Sequence, residues 1–119
     1  MGASKRATDL AMAAGAAAED KLAEDVVALD VTGQLALTDV FVIASAPNER
    51  QVAAIVDAVM ERLLQLGSKP LRREGVREAR WVLLDFGDII VHVMHAEDRA
   101  FYDLERLWKD CPILGKPSA

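Results

Sequence analysis

A chain of 119 residues with 52% hydrophobic side chains fits one domain and is apolar enough to bury a real core, which sets disorder aside for most of it. Its formal net charge of -5 argues against a protein whose affinity comes mainly from phosphate contacts, because such proteins carry a concentrated basic excess. Cys111 is the single cysteine, so an internal disulfide is excluded and a cytoplasmic home is expected.

Residues 5–23 read as an Ala-rich helix with Leu10, Ala14, Ala17 and Lys21 along one side, weakened at Gly15. The basic, alanine-rich start is a poor secretory signal, since Asp9 interrupts it, and no run approaches the roughly 20 apolar residues of a membrane span. Residues 25–31, DVVALDV, are rich in β-branched side chains and predict a strand, closed by a turn at Thr32-Gly33-Gln34. A second strand is expected over residues 40–44.

Pro47 stops that strand, and Asn48 with Gln51 has the spacing of a capping box. Val52, Ile55, Val56, Val59, Leu63 and Leu66 then recur at three and four residues, and Gly67 stands where a left-handed C-cap belongs, so a helix is predicted between them. Pro70 opens a short charged segment over residues 71–75 that suits a sheet edge.

Residues 82–86 and 89–94 are apolar at nearly every position, which fits strands covered on both faces. The two-residue reversal Gly87-Asp88 makes them an antiparallel hairpin. After His95 the period changes to 3.6, with Phe101, Leu104, Leu107 and Trp108 on one side of a helix and Arg99, Asp103, Arg106 and Asp110 on the other. Glu97 and Asp98 favour its N-terminal end. Strand-helix-strand connections imply a parallel pair, so the expected fold is α/β: a single-layer mixed sheet of about five strands with flanking helices, spanning residues 1–112, followed by a flexible tail at 113–119.

Little here points to chemistry. G-x-G-x-x-G and G-x-x-x-x-G-K-S/T are both missing, so neither phosphate loop can be argued. His92 and His95 are spaced H-x-x-H, but on a strand an odd offset sends them to opposite faces, and no metal or cofactor is expected. Asp85 and Asp88 flank the hairpin turn, where a carboxylate commonly caps its own backbone. Lys69, Arg72, Arg73, Arg77 and Arg80 form a basic edge, read first as solvated and second as a peripheral RNA contact. Trp81 and Tyr102 combine a ring with a polar handle, the kind of side chain enriched at protein contacts, whereas Trp108 reads as core.

Together AEDVVALDVTG and LTDVFVIASA (23–33 and 37–46), NERQVAAIVDAV (48–59), KPLRREG (69–75) and above all WVLLDFGDIIVHVMHAEDRAFYDLERLWKD (81–110) resemble the ribosomal silencing factor family, also called RsfS or Iojap-like proteins. The resemblance implies a non-enzymatic factor that binds the large ribosomal subunit through the ribosomal protein numbered fourteen and blocks joining of the small subunit, chiefly in starvation or stationary phase. It also implies a sheet similar to that of nucleotidyltransferases and a tendency to form homodimers. Val40 and Phe86 stand where tyrosine is usual, Ala46 where glycine is, and Cys111 where alanine is common.

A factor of this kind needs a docking surface and no catalytic residue. Trp81, Leu83, Asp85, His92 and Tyr102 are expected to supply that surface, with Asp88 and Glu105 adding acidic charge toward a basic partner. Two rivals remain at this point. One is a dimeric scaffold for another basic protein. The other is a nucleotidyltransferase, for which the chain lacks both the Gly-Ser helix start, reading Ala44-Ser45-Ala46-Pro47 instead, and any Asp-x-Asp pair.

Overall fold

The structure is a computed structural model and describes residues 2–115. Helix α1 (Lys5–Asp20) begins at Ser4, whose Oγ accepts a hydrogen bond from the Ala7 N–H at 3.0 Å. It buries Ala7, Leu10, Ala11, Ala14 and Ala18, and these small side chains let the helix lie close to what it covers. Strands β1 (Glu24–Asp30) and β2 (Val40–Ala46) pair antiparallel, with a bulge between Glu24 and Val27. Helix α2 (Glu49–Gln65) is capped by Asn48, which accepts from the Gln51 N–H at 2.8 Å. Only half of the expected box forms, because the Gln51 amide donates to the Lys21 and Leu22 carbonyls and ties α2 to the end of α1. Gly67 takes the left-handed conformation, φ +82°, that the C-cap reading requires.

The chain continues through β3 (Arg72–Glu74), β4 (Trp81–Asp85), β5 (Ile89–His95), two short helices α3 (Ala96–Tyr102) and α4 (Leu104–Leu107), and β6 (Ile113–Gly115). Among the described residues the strands form one mixed sheet in the order β3-β4-β5-β2-β1-β6. The parallel pair is β2 with β5, every other neighbouring pair being antiparallel, and the charged strand β3 occupies an edge as its composition suggests. The expected α/β fold is therefore present, with one strand more than the sequence indicates.

That sixth strand corrects the assignment of a flexible tail from residue 113. Ile113 and Gly115 pair antiparallel with Leu29 and Ala28 of β1, whose outer edge would otherwise be open. Residues 116–119, the rest of that expected tail, lie outside the described residues.

One face of the sheet is closed by α1 and α2. Their apolar stripes meet Val26, Ala28, Val40, Val42, Ala44, Val82, Leu84, Phe86, Ile89, Val91 and Val93 in a single core. The second face carries Leu29, Val31, Phe41, Ile43 and Met94, covered by Leu104, Trp108 and Cys111. Cover thins toward β4, which alternates half-buried and buried along its length, so the expectation of two fully covered faces holds for β2 and not for β4. Trp108 is half-buried on Phe41, with ring centroids 5.0 Å apart, and is less enclosed than a core reading requires.

The last helix is also corrected. Asp103 adopts φ +50° and ψ +56°, which breaks the expected helix into α3 and α4 and rotates their faces apart. Phe101 and Leu107, expected to face inward, are 80% and 70% exposed, while Arg99, expected to face water, is buried.

Candidate docking surface

Alternation along β4 puts Trp81, Leu83 and Asp85 on the thinly covered face, opposite the buried Val82 and Leu84. On β5 the register sets Met94 across from Trp81, His92 across from Leu83 and Ile90 across from Asp85, so one patch contains all six. Helix α3 adds Tyr102, whose ring centroid lies 4.9 Å from that of Trp81, and Phe101 stands perpendicular to Tyr102 at 5.0 Å.

An ionic clamp sets this arrangement. Arg80, immediately before β4, donates from Nε to Asp98 at 3.1 Å and from Nη2 to Glu97 at 3.2 Å, both in the first turn of α3. The Arg80 carbonyl accepts from the His95 N–H at 2.7 Å. The start of β4 and the start of α3 are thereby held together, which brings Tyr102 over Trp81.

His92 lies beneath the aromatic patch. The Trp81 indole N–H donates to His92 Nδ1 at 3.1 Å, and the imidazole meets Phe41 edge-on with centroids 4.8 Å apart. The ring is 5% exposed, and burial pushes its pKa down to about 4, so the imidazole is neutral at ordinary pH. Because Nδ1 accepts, the proton sits on Nε2, which is closed to solvent and has no partner among the described residues. A buried donor left in this way costs about 1–3 kcal/mol. His95 projects from the opposite face, where Nδ1 accepts from the Glu97 N–H at 3.1 Å and Nε2 lies 3.4 Å from Glu49 at the start of α2.

The carboxylates divide. Asp85 accepts from the Gly87 N–H at 2.9 Å, the turn-capping role its position suggests, and lies 3.8 Å from Arg72. Asp88 and Glu105 are not brought to the patch. The Asp88 carboxylate turns toward α1, 3.7 Å from Arg6, and Glu105 is held by Arg99 at 2.8 Å. Arg99 also donates to the Glu24 carbonyl at 3.2 Å and to Ser45 Oγ at 3.1 Å, a buried anchor locking α3 and α4 to the sheet. In the Ala44-Ser45-Ala46-Pro47 junction the first three residues are buried and Pro47 is exposed, and the Ser45 hydroxyl is taken by the Glu24 carbonyl and Arg99.

Sequence reasoning misses Phe101 and Ile90 as parts of this surface, and for Phe101 the one hint available is Asp103, a residue type that tolerates the left-handed conformation. The basic edge is smaller than its composition suggests. Arg72 pairs with Glu74 at 3.2 Å and Arg80 is taken by its clamp, which leaves Lys69, Arg73 and Arg77 without a carboxylate among the described residues.

The family model described as "Ribosomal silencing factor during starvation" matches residues 4–118. The chain belongs to the ribosomal silencing factor family. It is 43% identical over 100 residues to Ribosomal silencing factor RsfS of Bacillus subtilis (strain 168), covering 84% of this chain and 85% of that one. It is 35% identical over 89 residues to the mouse protein named "Mitochondrial assembly of ribosomal large subunit protein 1", covering 72% of this chain and 39% of that protein. A crystal structure of a Chromobacterium violaceum protein superposes with a TM-score of 0.82 at 34% identity, covering 85% of this chain and 84% of that one.

Members of the ribosomal silencing factor family are regulators of translation associated with ribosomes, and not enzymes. Among the described residues no helix is long and apolar enough to cross a membrane.

Proposed function

We propose that this silencing factor damps translation, chiefly in starvation or stationary phase, by docking on the large ribosomal subunit through the protein numbered fourteen and so blocking the approach of the small subunit. The observation that carries the reading is an aromatic and aliphatic patch in which half-buried Trp81 and Leu83 adjoin exposed Phe101 and Tyr102, on an otherwise well-covered sheet. Large-subunit association is supported by the name of the mouse relative. Blocking needs only occupancy, and a specific interface buries roughly 1,200–2,000 Å² in total, which a domain of this size can supply. An acidic chain with net charge -5 would approach a basic ribosomal protein faster than a neutral one. Lys69, Arg73 and Arg77, which have no carboxylate partner among the described residues, would supply any peripheral contact with ribosomal RNA; Arg73 lies on the α2 side of the sheet, 3.9 Å from Met60 Sδ, away from the aromatic patch.

Co-sedimentation with purified large subunits, alone and with competing small subunits, tests this reading. Binding to large subunits that small subunits displace is expected. Its absence, or indifference to small subunits, overturns the proposal. The exposed Phe101 and Leu107 side chains also suit a second copy of the chain, and the solution mass of the free protein against that of the Phe101→Ala variant separates homodimer from monomer.

A further inference from the structure

A buried histidine with one nitrogen unpartnered among the described residues is an expensive way to fill a gap between aromatic rings. His92 is enclosed by Phe41 and Trp81, and a phenylalanine would occupy the same space with no polar atom to satisfy. The one side-chain hydrogen bond of His92 among the described residues is to the indole of Trp81, a half-buried ring with a donor and no acceptor. We infer that His92 is a positioning residue for docking: by accepting the Trp81 N–H at Nδ1 it fixes the orientation of the ring that the partner meets. This inference rests on the proposed docking role of the Trp81 face and adds to it a device for holding that face ready.

The geometry supports a single working state. The bond runs diagonally from the first residue of β4 to the fourth of β5, since the register pairs Trp81 with Met94 and Leu83 with His92. It holds the indole from beneath while Tyr102 packs against it from α3. A proton on Nδ1, in the other tautomer or in the imidazolium, would face the indole hydrogen and break the bond. Burial keeps the ring neutral, and Phe41, itself wedged between His92 and Trp108, keeps it from turning. Trp81 is thus preorganised, so that binding loses less ring freedom than it would from a swinging side chain.

The test separates holding the ring from holding the fold. His92→Phe removes the acceptor and keeps a ring on Phe41, and His92→Asn keeps an acceptor near the Nδ1 position. In the full chain, the Trp81 indole N–H resonance, assigned with Trp81→Phe, is expected to move upfield in His92→Phe and to stay near its native position in His92→Asn. His92→Phe should melt at or above the native Tm yet bind purified large subunits about tenfold more weakly, with His92→Asn recovering most of the loss. Combined with Trp81→Phe, His92→Phe should cost no further binding, because the two act as one unit.

An unmoved indole resonance, or a moved resonance with native binding, overturns the inference. So does a second, additive loss in the double variant, or failure of both His92 variants to fold, since either makes His92 structural. If the native chain itself does not bind large subunits, the docking proposal falls, while the resonance and melting results still show whether His92 holds the ring.

Discussion

The two faces of this sheet are built from the same strands and do opposite things. Under α1 and α2, side chains such as Ile55, Leu63, Val82, Leu84 and Ile89 are fully buried, and the face is a closed core. On the other side, long helices are replaced by two short ones broken at Asp103, and cover fades from β1 toward β4. A protein of this size needs one closed face for stability, whereas a factor that works by contact needs the second left partly open. The thinly covered face is the one proposed above for docking.

Substitutions that break or sharpen this contrast differ in size. The largest effect is expected on the closed face, where Leu63→Ala should lower unfolding stability by about 2–5 kcal/mol, read from denaturant midpoints at constant slope. A loss below 1 kcal/mol would show that this face is less tightly packed than its burial indicates.

Acid comes next. The His92 imidazole titrates near 6.5 when unfolded and at about 4 when folded, so between these values the unfolded chain binds the extra proton. Stability should fall as pH drops through that window, by about 3 kcal/mol at its lower end, and be unaffected by this group above 6.5. Urea unfolding of native protein and His92→Phe at pH 7 and pH 4.5 isolates the contribution, which disappears in the variant if the assignment is right.

Arg99→Met should cost less, about 2 kcal/mol, because Glu105 is 40% exposed and can turn to water when its partner is removed. The donors to the Glu24 carbonyl and Ser45 are lost with it. A neutral outcome would mean that α3 and α4 are held by their apolar contacts alone. The smallest change in stability is expected for Tyr102→Ala and Phe101→Ala, within about 0.5 kcal/mol, together with the clearest loss of large-subunit binding. Substantial unfolding in these variants would erase the distinction between the faces.

Much of the fold is legible in one dimension. Helix α2 declares itself through apolar residues at three and four spacing between Asn48 and Gly67, and the β4–β5 hairpin through two apolar runs around Gly87-Asp88. Alternation along β4 also gathers Trp81, Leu83 and Asp85, because the period of a strand is fixed whatever packs on it. Charge alone assigns Asp88 and Glu105 to that group, and charge says nothing of direction: one carboxylate faces Arg6, the other Arg99.

Local pattern, then, determines which residues form strands and helices, which side of each strand is apolar, and to which family the chain is similar. Tertiary structure decides what depends on distant partners. Strand β6 exists because β1 has an open edge, and residues 113–115 carry no strong strand signal of their own. Arg99 is buried because Glu24, Ser45 and Glu105 converge on it from elements far apart in the chain. Phe101 is exposed because one backbone reversal at Asp103 uncouples two helical turns whose sequence reads as continuous. Periodicity records a local rotation per residue, while burial is a property of whatever the rest of the chain brings near.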